Sequence, residues 1–102
     1  MNNKPQNPDW VGVREQNFFE AIAALPNPSD AQMFMLDLFT SEEIQNAAKR
    51  WCAVCSLYDG NTQEMTCTEC ETSKTTVSRA RRNIIKSGSG ITKTIYELLK
   101  AD

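Results

Sequence analysis

The stretch "CTECETSKTTVSRARRN", Cys67 to Asn83, supports two incompatible readings, and the architecture of the whole chain turns on which is right. It opens with a Cys-x-x-Cys pair, and "CAVC" at Cys52–Cys55 is a second. Two such pairs can offer four thiolates to one tetrahedral zinc. The remainder, "SKTTVSRARR", has the make-up of a helix that enters a DNA groove: hydroxyl residues suited to base edges, then arginines suited to phosphate. On that reading "CTEC" ends a supporting helix, and Ser73 caps a reading helix after a short turn.

The surrounding pattern favours the second reading. The linker between the pairs, "SLYDGNTQEMT", is eleven residues, short for a four-cysteine zinc site but usable. Zinc knuckles commonly turn at each pair with Gly or Pro close by, and "RWCAVCSLY" has neither. It lies in a helix-periodic run, where Cys55 falls on the edge of the apolar stripe and Cys52 about 60° further out. Cys70 is expected to face the core. Cys55 is then read as a small, partly buried hydrophobe, and the four cysteines as belonging to packing rather than to a metal. A zinc site of Cys52, Cys55, Cys67 and Cys70 is the alternative. It would make the chain a structural or adaptor module that binds an acidic protein partner. No other cofactor is expected.

Along the rest of the chain the apolar spacing is helical everywhere and no strand pattern competes. Residues 1–12, rich in Asn and Pro, read as a flexible tail, and 13–102 as one domain. Phe18, Phe19, Ile22 and Leu25 mark a first helix ended by "LPNPSD", with Ser29 a candidate cap for the next. That second helix carries Met33, Phe34, Met35, Leu36, Leu38 and Phe39 around its whole circumference, so a partner subunit is the expected cover. "TSEE" at 40–43 is a capping box. The helix it opens has a stripe of Ile44, Ala47, Ala48, Trp51, Val54 and Tyr58, and Gly60 ends it. A short helix capped by Asn61 or Thr62, the Ser73-capped helix to "SGSG", and a last amphipathic helix with Ile91, Ile95, Leu98 and Leu99 complete an all-α chain of six helices.

Charge is divided along the chain. Residues 1–71 hold four Lys/Arg against eleven Asp/Glu, and residues 72–102 hold seven against two. From Thr72 to Tyr96 there are six basic residues and no acid, the footprint a polyanion needs. No run approaches the roughly 18 apolar residues of a membrane helix. The start, "MNNKPQNPDW", lacks the apolar run of a secretion signal, so the expected compartment is the cytoplasm. Disulfides are not expected there. No His, no Gly-rich phosphate loop and no nucleophile with an evident base is present, so an enzyme is not expected.

From Thr40 onward the chain resembles the Trp repressor superfamily, closest to its related bacterial branch without an established effector. The resemblance is carried by the helix opening after Thr40, Arg50 within it, the "GNT" break at Gly60, and "TTVSR" ending in Arg79. It implies an intertwined all-α homodimer with a helix-turn-helix, the fifth helix lying in the major groove of double-stranded DNA, and a transcription regulator, a repressor by expectation. The candidate DNA-binding residues are Gln63 and Glu64 at the start of the supporting helix, then Ser73, Lys74, Thr75 and Ser78 toward base edges, with Thr76 beside them. Arg79, Arg81, Arg82 and Lys86 fall toward phosphates. The resemblance also implies a pocket for a small planar effector at Thr40, Arg50, Arg79 and Asn83. Ala80 stands where the tryptophan-sensing member has glycine, and Asn83 where it has serine, so tryptophan itself does not carry over. Glu71 occupies the turn position where glycine is favoured, which implies a non-standard turn or a positive φ.

Overall fold

The computed structural model describes residues 8–86 and 89–100, excepting the side chains of Tyr96, Leu99 and Lys100. Its elements are six helices: α1 Val13–Ala23, α2 Pro28–Leu38, α3 Ser41–Tyr58, α4 Gln63–Glu69, α5 Lys74–Ile85 and α6 Gly90–Lys100. No strand occurs among the described residues. The chain divides into two compact units, residues 1–39 and 40–102. Of the expected tail, residues 1–7 lie outside the described residues, as do Ser87 and Gly88 of "SGSG". Pro8 to Val11 form a turn closed at 3.0 Å, directly before α1.

In the first unit, the Glu15 carboxylate accepts the Gly12 N–H at 3.0 Å and the Arg14 guanidinium at 2.9 Å. Those two contacts, the backbone one first, hold its carboxyl below the usual range. The cap of α2 is Asn27, not Ser29: its Oδ1 accepts the Asp30 N–H at 2.9 Å. Pro28 explains the earlier start. At the first helical position its missing N–H has no intrahelical partner to lose, and its fixed φ suits the helix. Phe18 meets Phe39 edge to face, with ring centroids 5.9 Å apart. Yet neither helix contains a buried residue. Met33, Leu36 and Leu38 of α2 are each more than half exposed.

The second unit is organised by caps. Both bonds of the expected box are present: Glu43 N–H to Thr40 Oγ1 at 3.1 Å and Thr40 N–H to Glu43 Oε1 at 2.9 Å. α3 ends with Gly60 at φ 96. The Gly60 N–H returns to Leu57 O at 3.0 Å and the Asn61 N–H to Ser56 O at 3.2 Å, the bond pair of a Schellman motif. α4 ends the same way, with Glu71 N–H to Thr68 O at 3.4 Å and Thr72 N–H to Cys67 O at 3.1 Å. Here the left-handed position is held by Glu71, φ 50, the positive φ that is one of the two expectations for this turn. Thr62 caps α4 through the Met65 N–H, 3.1 Å, and Ser73 caps α5 through the Thr76 N–H, 3.2 Å.

The core lies between α3, α5 and α6: Ala53, Val54, Val77, Ala80 and Ile95 are buried, with Leu57, Cys67, Ile84 and Ile91 packed against them. The apolar stripe of α3 is not the face that packs in this core. Of its members only Val54 is buried, while Ala47, Ala48, Trp51 and Tyr58 are exposed. The buried face is instead Ala53, Val54 and Ser56, because α4 and α5 both pack there.

α4 is tied to α3 by two rungs. Thr66, fully buried, lies 2.8 Å from Ser56 through their hydroxyls. Asn61 Nδ2 donates to Ser56 at 3.0 Å, and Ser56 donates to Glu69 Oε2 at 3.3 Å. One turn along, Cys52 and Cys70 form a disulfide, Cα–Cα 5.8 Å. That corrects two expectations, the absence of disulfides and the reading of all four cysteines as packing. Cys70 does face inward, 5 % exposed, and Cys52 is exposed, but Cys55 is exposed rather than partly buried. The expectation failed because α3 and α4 run antiparallel, so Cys52 and Ser56 of one helix meet Cys70 and Thr66 of the other. Cys55 and Cys67 are free thiols. Among the described residues no three His, Cys, Asp or Glu side chains converge as metal ligands.

Candidate nucleic-acid interface

Burial fixes how α5 presents itself. Val77, Ala80 and half-buried Ile84 face the core. At about 100° per residue the opposite face carries Thr75, Ser78 and Arg82, with Lys74, Arg79 and Lys86 on its flanks. Lys74, Thr75, Arg79, Arg82 and Lys86 are exposed and Ser78 is half-buried. Arg81 and Thr76 sit nearer the core edges, on opposite sides of the helix. Thr76 is further committed: its N–H and its hydroxyl both bond Ser73, at 3.2 and 3.1 Å. Ser73 and Thr76 are therefore capping groups first. Thr75 and Ser78 are engaged in no such bond among the described residues.

The two ends of the helix-turn-helix share a groove of about 520 Å³. Gln63 and Glu64 line it from the start of α4, Thr72 from the turn and Lys74 from the start of α5, together with Cys67. The helix starts bring several backbone N–H groups with no intrahelical acceptor, the usual anchors for phosphate oxygens. Arg81 instead lines a second cavity of about 510 Å³ with Leu57, Asn61, Gln63 and Ile84.

A third cavity, about 390 Å³, brings together Arg50, Arg79 and Asn83, three of the four expected effector residues. Val54, Ala80 and Ile91 supply apolar wall. The methyl of Ala80, a residue 5 % exposed, occupies space that a glycine would leave open. Thr40 does not line this cavity. It caps α3 ten residues before Arg50, about 15 Å away along the helix, so one chain cannot bring the two together. Nor does Arg50 pair with Glu43, whose carboxylate is held by Thr40; Arg14–Glu15 is the only ion pair among the described residues.

Sequence reasoning missed the Ser56–Thr66–Glu69–Asn61 network and the Cys52–Cys70 bond. Their signal was present as spacing: Cys52 and Ser56 are one helical turn apart, and so are Thr66 and Cys70.

A short helix, a turn, and a hydroxyl-capped basic helix packed on a long scaffold helix define a helix-turn-helix protein. The chain belongs to the Trp repressor family: the family model described as "Trp repressor protein" matches residues 14–99. That family is one of DNA-binding regulators rather than enzymes. No match was found among curated proteins or among solved structures. No described helix is long and apolar enough to cross a membrane.

Proposed function

We propose that the chain is a sequence-specific transcription regulator, a repressor, that binds double-stranded DNA in the cytoplasm as an intertwined homodimer. The observation that supports this most is the outward face of α5, which combines Thr75, Ser78 and Arg82 with flanking cations and carries no acid. Such a helix can seat in the major groove while the starts of α4 and α5 hold phosphates. The partner subunit covers the exposed apolar surface of α2. It is also what brings a Thr40 to the Arg50–Arg79 cavity, since the chain's own Thr40 is too distant.

Two guanidinium groups can stack on a flat ring, so the effector is a small planar molecule whose occupancy sets the angle of α5. Ala80 and Asn83 disfavour L-tryptophan. Calorimetry should show weak or no binding of that amino acid, and micromolar affinity with tryptophan-dependent DNA binding would overturn this part. For the DNA itself, a dimer making about eight phosphate contacts gives a log–log salt slope of about −7. Replacing Arg81 and Arg82 with Ala should weaken binding to all sequences alike. Lys74→Ala should relax preference at particular bases. Absence of binding to any duplex at low salt, with or without candidate planar effectors, would sink the proposal.

A further inference from the structure

We infer that Cys52 and Cys70 form a reversible dithiol–disulfide switch that sets how firmly the reading helix is held for DNA, an inference that rests on the DNA-binding function proposed above. Its basis is where the bond lies. Cys70 is the C-terminal cap of α4, directly before Glu71 at φ 50 and three residues before Ser73, the cap of α5. The cross-link therefore anchors to α3 the point from which the turn and the reading helix start. α4 has seven residues, well short of the length at which a helix holds by itself in water. Apart from packing, its hold on α3 is the Ser56–Thr66–Glu69–Asn61 network at one rung and the disulfide at the other. Opening the disulfide removes the one covalent tie at the turn and leaves that end of α4 held to α3 by its packing and by the two 3.3 Å bonds to Glu69.

Exposure assigns the two sulfurs different roles. Cys52 is exposed, so its thiolate can attack a low-molecular-weight disulfide, forming a mixed disulfide and releasing one small thiol. Cys70, 5 % exposed, is reached from within the protein. Its thiolate attacks the Cys52 sulfur and expels the second small thiol. Two protein thiols thus become one disulfide, and their two electrons and two protons leave on the two small thiols. A dithiol reductant reverses both steps. The Cys55 thiol is held above the usual range, by partial desolvation first and by the Asp59 carboxylate second, which lowers its thiolate fraction.

The test measures duplex binding of the full chain in buffers poised by the ratio of reduced to oxidised dithiothreitol, with the thiol state read by alkylation and mass spectrometry. Binding should fall about tenfold when the pair is reduced. Cys52→Ser, a change at an exposed position, should bind as the reduced wild type does at every ratio, and Cys55→Ser should keep the response. Hydrogen exchange of the amides from Cys67 to Thr72 should quicken on reduction in the wild type only. Equal or tighter binding by the reduced form overturns the switch and leaves the DNA function standing. So does a Cys52–Cys70 bond that never opens at any ratio. No binding to any duplex in either state overturns both.

Discussion

The helices of residues 8–39 are capped about as well as those of residues 40–100, yet only the second unit makes a core. α1 and α2 start on Glu15–Gly12 and Asn27–Asp30 bonds near 3 Å, comparable to Thr40–Glu43 and Ser73–Thr76 in the other unit. What differs is burial. Ala53, Thr66 and Val77 of the second unit are wholly withdrawn from water, whereas α1 and α2 bury no residue fully. Caps decide where a helix begins, at about 1 kcal/mol each. Whether eleven-residue helices persist is decided by the apolar area they hide. The second unit has a core of its own, whereas the first leaves the apolar surface of α2 exposed.

Leu36→Glu sets the two units apart most sharply. If a partner subunit covers α2, the change places an unpaired carboxylate in that interface and should cost more than about 4 kcal/mol of dimer stability. Sedimentation should then show a monomer, circular dichroism should lose the share of helix belonging to α1 and α2, and the wild-type melting temperature should rise with protein concentration. A Leu36→Glu chain with unchanged mass and unchanged melting would mean that no subunit covers Leu36, and a monomeric mass for the wild type would remove the dimer.

The same contrast explains what the sequence could and could not reveal. Helix number, the Thr40–Glu43 box, the Gly60 stop and the Ser73 cap were legible, because each depends on residues three or four positions apart. The face of α3 that packs was not. Ile44, Ala47, Trp51 and Tyr58 form the stronger apolar stripe, but α4 and α5 settle on Ala53, Val54 and Ser56. An apolar stripe shows that something covers it without showing whether the cover is the same chain or another. Of the candidate site, the outward face of α5 and the shared cavity of Arg50, Arg79 and Asn83 followed from helical spacing and family resemblance. The Cys52–Cys70 and Ser56–Thr66 rungs needed the antiparallel register of two helices, which no local pattern states.

Within the second unit, Thr66→Val probes the polar rung that the first unit lacks. Valine keeps the volume of a wholly buried side chain and deletes the hydroxyl that meets Ser56 at 2.8 Å. Ser56 retains Asn61 and Glu69, so no buried hydroxyl is left without a partner. The loss should be about 1 kcal/mol, read from the urea midpoint. A loss beyond about 3 kcal/mol would mean that the network acts as one unit and would raise its weight against the apolar core.

The smallest expected effect compares the two ends of α3 and α4. Both helices stop in the same pair of returning bonds, but one has Gly60 at the left-handed position and the other has Glu71. An L side chain there crowds the following carbonyl at a cost of about 1 kcal/mol. Glu71 is exposed, and its side chain makes no hydrogen bond among the described residues to offset that cost. Glu71→Gly should therefore stabilise the chain, by somewhat less than about 1 kcal/mol once the freedom glycine adds to the unfolded chain is counted. Gly60→Ala should do the reverse. No atom lies within 4 Å of the methyl it would add, so its cost, about 1 kcal/mol, is conformational and not steric. Opposite signs for the two substitutions, from paired urea titrations, would tie both to backbone handedness. Equal signs would show that Glu71 makes a stabilising contact in the free protein that outweighs the cost of its handedness.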